Sequence, residues 1–441
     1  HKEIIRIANG NPRVAIMTAL LALEKQNIYA LRDVSDLFEN YFATFIKDKG
    51  EFAYENNIKF LGLISFFYTI PFKNTEITTS ILNDFNLEYS DFIDSIDKLD
   101  KLELVDIQFE HVKIPEQNLS TFFFYKAFIK DKLLSFKTLL KNYFNSNSDR
   151  FSDCVIPANN IFGPRKVMDK LKPTLKSHFH QIRNDTNRAF NFLSTFWFYL
   201  SEETFEFIYN IIESLPIDNS TEYELTYKNN DFGYDKYNVI DLLGNFFSFP
   251  NNLKDSLELA FEYTRRKPKY LPRLIHRIRD KLTFDRDDER NNFVRQTTLF
   301  EILITGLYNN DTLYSSSFYE LSKTFLLFQY SHTKSGRNYS IIFYEYPIPS
   351  NKTIQKFRSN IWKAIDSNFN NYPNYSFSVL ENYAKINYGI HKEIMRYDIP
   401  FIIKLIENHL SPTSFNHCKY VQEQIRVCRR NSITYSSLSV L

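Results

Sequence analysis

Glycine is close to missing from this chain, with 9 in 441 residues, where average usage is about 7%. Glycine supplies the positive-φ positions that tight hairpins need, so its scarcity excludes a sheet-rich fold with many two-residue turns. Cysteine is as scarce, limited to Cys154, Cys418 and Cys428. An odd, sparse set builds no disulfide framework, and a reducing, cytoplasmic setting is expected. Long apolar runs are absent too. The most apolar stretch, Phe60 to Phe72, contains Pro71 and is too short to span a bilayer, so no membrane partner is expected. Neither sign of charge is in excess: 54 Lys and Arg against 52 Asp and Glu give a net +2, which excludes a whole-molecule field for polyanions and leaves only local sites. No Gly-x-x-x-x-Gly-Lys-Ser/Thr loop cradles phosphates, and no Gly-x-Ser-x-Gly turn presents a nucleophile.

What is present is aromatic and helical. Apolar residues make up 43% of the chain, led by 43 Phe and 29 Tyr, enough for a sizeable core. A mainly α fold is expected, in three parts. Residues 1–57 read as two or three helices, one of them from Val34 to Lys47. Residues 58–128 read as three helices ("IKFLGLISFFYTI", "EITTSILNDF", and "YSDFIDSIDKLDKLEL" with Ser90 as cap) followed by a hairpin. In the hairpin Val105, Ile107 and Phe109 alternate with polar residues, and Val112 and Ile114 alternate in the switched phase. Three helices and a hairpin predict a winged helix. Residues 129–441 read as helix after helix, a solenoid-like array without a fixed period, broken by one hairpin turning at Ser335–Gly336. The chain starts at His1, without Met and inside a helical pattern, and is read as a fragment of a longer protein.

With so few glycines, the run Gly10-Asn11-Pro12-Arg13 before an apolar helix stands out. Gly10 suits the end of one helix, Asn11 the N-cap of the next and Pro12 its first position. Val14, Met17 and Leu21 then share a face, with Ile16, Leu20 and Leu23 beside them. A helix N-terminus with an adjacent arginine suits a phosphate. The plainer alternative is a helix junction with a solvated Arg13.

The segment "IIRIANGNPRVAIMTALLAL" resembles the lid helix of AAA+ and STAND ATPases, where a Gly-x-Pro or Gly-Asn-Pro-Arg motif precedes a winged helix. The resemblance implies that Pro12 packs near an adenine, that Arg13 senses nucleotide phosphates, and that Gly10 and Asn11 shape the turn. The order of lid, winged helix and helical array implies the sensor and regulatory portion of a STAND signalling ATPase, an antiviral one among the options. Its ATP or ADP with magnesium would bind only in the full-length protein, with a missing N-terminal nucleotide-binding domain as partner and no cofactor on this segment alone. A protein or nucleic-acid trigger and a homo-oligomer on activation are implied as well. The family's Met-His-Asp motif falls on Ile114, Pro115 and Glu116, where proline replaces the histidine. Glu116 is then either a regulatory latch or the cap of the helix beginning near Asn118, and the cap is favoured.

The third winged-helix helix carries Asp91, Asp94, Asp97 and Asp100, which argues against DNA reading there. The densest basic stretch is Tyr263 to Leu282, with Arg265, Arg266, Lys267, Lys269, Arg273, Arg277, Arg279 and Lys281 outside a stripe of Leu271, Leu274, Ile275, Ile278 and Leu282. It is either a face neutralised by distant acids or a docking surface of a helical scaffold for nucleic acid or an acidic protein. Asp285 and Asp288 are expected to cap a helix rather than bind metal. His178 and His180 diverge on a helix, and His417, Cys418 and Cys428 lack a fourth ligand, so no metal site is expected.

Overall fold

The computed structural model describes residues 4, 12–25, 37, 38, 40, 55–217, 223, 238–335, 341–385 and 392–433. The chain is mainly helical, with nineteen α-helices and two small antiparallel sheets among the described residues. It divides into two compact units, His1–Thr204 and Phe205–Leu441.

In the first unit α1 (Pro12–Lys25) precedes α2 (Glu55–Phe67), β1 (Thr69–Ile70), α3 (Thr75–Asn83), α4 (Tyr89–Lys101), β2 (Asp106–Gln108) and β3 (His111–Lys113). The sheet order is β1-β3-β2, with Ile70 and Ile107 both opposite Val112. From α2 to β3 the elements run helix, strand, helix, helix, strand, strand, with one strand more than the sequence suggested. The run read as a single helix through Ile70 stops at Phe67, because Tyr68 takes a left-handed φ of 68° and the next two residues pair with β3. Phe109 belongs to the turn rather than to a strand face: it has φ 56° and is 93% exposed. Ser90 lies inside α4, and Glu88 occupies the N-cap position instead. α4 buries Phe92, Ile96 and Leu99 and exposes Asp94, Asp97 and Asp100.

The run from Leu119 to Phe144 is not one continuous helix. α5 (Gln117–Phe124) passes into a π-helical turn (Tyr125–Lys130), and α6 (Phe136–Phe162) starts anew with Ser135 accepting from the Thr138 N–H at 3.1 Å. Every residue from Phe122 to Ile129 is buried, so this segment has no solvent stripe and is central to the unit. Gly62 of α2 packs so closely on it that a Cβ there would lie 2.4 Å from that of Ala127. Phe66, Phe144, Phe151, Phe192 and Phe196 interlock around it, with ring centroids 4.8–6.0 Å apart. Gly163, at φ 86° and ψ 155°, joins α6 to α7 (Pro164–Ile182), and Asp185 caps α8 (Thr186–Phe196) through the Arg188 N–H. α9 (Ser201–Ser214) follows, with its residues from Phe205 onward belonging to the second unit.

The second unit stacks α10 (Val239–Gly244), α11 (Pro250–Arg266), α12 (Leu271–Leu282), α13 (Arg286–Arg290), α14 (Val294–Tyr308), α15 (Thr312–Phe325), α16 (Lys352–Asn368), α17 (Pro373–Lys385), α18 (Lys392–His409) and α19 (Phe415–Arg430). Helices pack on chain neighbours one to three places away, as α11 does on α10 and α14, and α17 on α15 and α19. Side-chain caps start many of them: Asn238, Asp311, Asn351 and Ser414 each accept from the first turn. The expected hairpin is present as β4 (Gln329–Ser335) and β5 (Ile341–Pro347), with Tyr330 and Tyr346 stacked across the pair. Gly336 lies outside the described residues.

One polar network sits in this unit's core. Arg358 is fully buried; its Nε donates to Asp398 at 2.9 Å, and its Nη atoms donate to the Leu326 and Leu327 carbonyls. Trp362 Nε1 and the Tyr383 hydroxyl donate to the same carboxylate, at 3.1 and 3.0 Å. Burial, with the Asp398 charge behind it, holds the Tyr383 phenol far above its ordinary value, so it stays a donor.

Candidate functional site

Pro12 is the first residue of α1, the position its fixed φ and missing N–H suit. Gly10, Asn11 and the side chains of Pro12 and Arg13 lie outside the described residues. Downstream, α1 is apolar on two sides. Met17 and Leu21 are buried, whereas Ile16, Leu20 and Leu23 are 61, 40 and 77% exposed.

Glu116 caps α5: its carboxylate accepts from the Leu119 N–H at 2.6 Å. The cap reading is thereby shown, one residue ahead of the expected helix start. Lys113, Ile114 and Pro115, just before it, line a groove of about 590 Å³ whose other wall is α6, through Arg150, Asp153, Cys154, Ile156 and Pro157. Arg150 fixes this wall by closing the end of α2, donating to the Phe66 carbonyl at 2.9 Å and the Ser65 carbonyl at 3.1 Å. Its guanidinium lies 5.4 Å from the Tyr68 ring centroid and pairs with Asp153 at 2.8 Å. Pro157 has no N–H for the carbonyl four residues back, so Asp153 loses a helical partner in the groove. Burial pushes the Cys154 thiol up to about 12, past the opposing pull of Arg150, so it remains a thiol and offers no nucleophile. Sequence reading missed Arg150 and Tyr68, since their meeting depends on the fold.

Six of the eight cations of Tyr263–Leu282 are held by acids of the same unit. Arg265 pairs with Asp311 at 2.6 Å and with Glu262; Arg266 pairs with Glu213 at 2.9 Å and with Glu262. Asp241 is shared by Arg273 and Arg277, Glu320 binds Arg279 at 2.6 Å, and Lys281 pairs with Asp280. Burial works against the charge of Glu320, yet the bonds from Lys323 and Arg279 outweigh it and hold its carboxyl below the ordinary range. Lys267 ends α11, and exposed Lys269 lies 5.3 Å from the Tyr270 ring centroid.

The remaining candidates are structural. Asp285 and Asp288 form the expected capping box, and Asp288 also binds Arg295 and Gln296. His178 packs 5.1 Å from Phe192, and His417 Nδ1 accepts from the Ser411 N–H. Among the described residues no group of three His, Cys, Asp or Glu is placed to hold a metal ion, and no helix is long and apolar enough to cross a membrane. No protein-family model, curated protein or solved structure matches the chain.

Proposed function

We propose that this chain is the lid, winged-helix and helical sensor portion of a STAND-type signalling ATPase, read with its nucleotide-binding domain in the full-length protein. The observation that carries the reading is α1. It begins at Pro12, buries Met17 and Leu21, and leaves Ile16, Leu20 and Leu23 exposed. A short helix apolar on both sides belongs between two bodies, since three exposed aliphatic side chains on one face favour a partner over water. The winged-helix order of α2 to β3 and the acidic outer side of α4 support a packing module over a DNA reader.

In this proposal, lid and winged helix close over ADP against the nucleotide-binding domain, and the helical array receives the trigger. The trigger then shifts the population toward an open, self-associating form to the extent that it binds that form more tightly. The segment itself supplies no phosphate-cradling loop, so the nucleotide with its magnesium belongs to the complete protein. Six of the eight cations of 265–281 pair with acids within their unit, which counts against the scaffold alternative.

The test is a chain extended toward the N-terminus. It should bind ADP, and Arg13→Ala should weaken that binding by about tenfold, the cost of one charge-assisted hydrogen bond. Unchanged affinity would remove Arg13 from the pocket, and an extended chain without nucleotide binding would sink the whole reading.

A further inference from the structure

The charge of the first unit is unevenly spread. Residues 55–124 carry five Lys and Arg against twelve Asp and Glu, and residues 125–190 carry thirteen against five. The fold gathers much of the second group on one surface. α7 buries Val167, Leu171, Leu175, Phe179 and Ile182. Its other side exposes Arg165, Lys166, Lys170 and Lys176, with His180 and then Arg183 beyond them; Asp169 is the sole acid on the helix. Lys170 Nζ lies 3.5 Å from the carbonyls of Ile129 and Lys130, which sets α7 beside exposed Lys132. At the other end Arg188 stands close enough to His178 to help burial, the larger cause, hold that imidazole below its ordinary value.

These cations differ from those of α12 in that most of them make no ion pair with the few acids nearby, Asp169, Asp185 and Glu203. Lys176 pairs with Glu203 at 2.5 Å, but among the described residues Lys132, Arg165, Lys166, Lys170, Arg183 and Arg188 make no ion pair. From this we infer that the outer side of α7, with Lys132 and Arg188 at its ends, is a binding surface for the phosphate backbone of double-stranded nucleic acid. A 19-residue helix is about 28 Å long, and cations four residues apart repeat about every 6 Å along it, a rigid row that can follow a phosphate backbone. A membrane surface fits less well. Helices that lie on bilayers insert their apolar side, and α7 has used its own inside the unit. Among the described residues no large apolar side chain is exposed between 157 and 197. A single strand fits less well too, since apart from His180 the face presents no ring on which bases could stack.

The test uses this chain without nucleotide, so its outcome is independent of Arg13 and of the ATPase reading. Labelled duplexes long enough to span α7, one of DNA and one of RNA, are titrated by fluorescence anisotropy between about 50 and 200 mM salt. Six unpaired cations predict a slope of log K against log salt on the order of −5 for DNA. Lys166→Gln, Lys170→Gln and Arg183→Gln together should lower affinity by about tenfold or more and reduce the slope by about 3. Arg replacements at the two lysines should restore it, and circular dichroism checks that each variant is folded. Tighter binding of one duplex names the source of the backbone and supports the surface either way. Absence of duplex binding at low salt overturns the proposal, as does salt-steep binding that the α7 triple variant leaves unchanged. Retention on phosphatidylserine vesicles, or self-association against the acidic 55–124 region, also overturns it if duplex binding is missing.

Discussion

The two units handle their cations in opposite ways. In the second, Arg358 is enclosed with Asp398, and the arginines of α11 and α12 each find an acid at residues 213, 241, 262, 311 or 320. In the first, α7 holds a comparable density of positive charge and meets almost none. In sequence the second unit's stretch looks the more basic, because its cations are packed into twenty residues. Charge density along a chain therefore says little about charge offered to a partner. What decides is whether the acids that pack against a helix arrive from elsewhere in the fold.

Three variants probe this contrast, each read unit by unit through the two tryptophans: Trp362 reports the second unit and Trp197 the first. The largest effect is expected from Asp398→Ala. It leaves the Arg358 guanidinium buried without its counter-charge and should cost about 3–5 kcal/mol in the unfolding transition that Trp362 reports. A loss below about 1 kcal/mol would mean that the network is not what organises this core. Asp241→Ala comes next, removing an acid shared by Arg273 and Arg277 that is still about one-third exposed. Solvent screening limits its cost to about 1 kcal/mol. It should also loosen Arg273 and Arg277 by removing the acid they share, so a gain in duplex binding by this variant would show that pairing is what silences α12. The smallest stability effect is expected from Lys166→Gln with Lys170→Gln, within about 0.5 kcal/mol in urea melts followed at Trp197. A larger loss would give these lysines a structural duty and blur the distinction between the units.

Much of the fold was legible in the sequence. Helical periodicity, the phase switch between Ile107 and Val112, and the Asp285–Asp288 box all rest on local chemistry, and the structure repeats them. Glu116 as a cap was legible for the same reason. What escaped depends on distant partners. Thr69–Ile70 is a strand only because β3 comes to lie beside it, and its two residues end an apolar run that reads as helix. The π-helical turn lies in a segment buried on all sides, and no periodicity announces it. The acids around α12 come from up to 41 residues away. The basic side of α7 was within reach: a count of charge over sixty-odd residues would have found it, where attention to the densest cluster did not.

Gly163 gives the arrangement a further meaning. Its φ of 86° with ψ of 155° falls where side chains are all but forbidden, although open space surrounds the position itself. The corner between α6 and α7 thus tolerates bulk but not chirality. A side chain at that joint would be strained in the conformation that sets the heading of the next nineteen residues, so the aim of a whole row of cations leans on one missing Cβ.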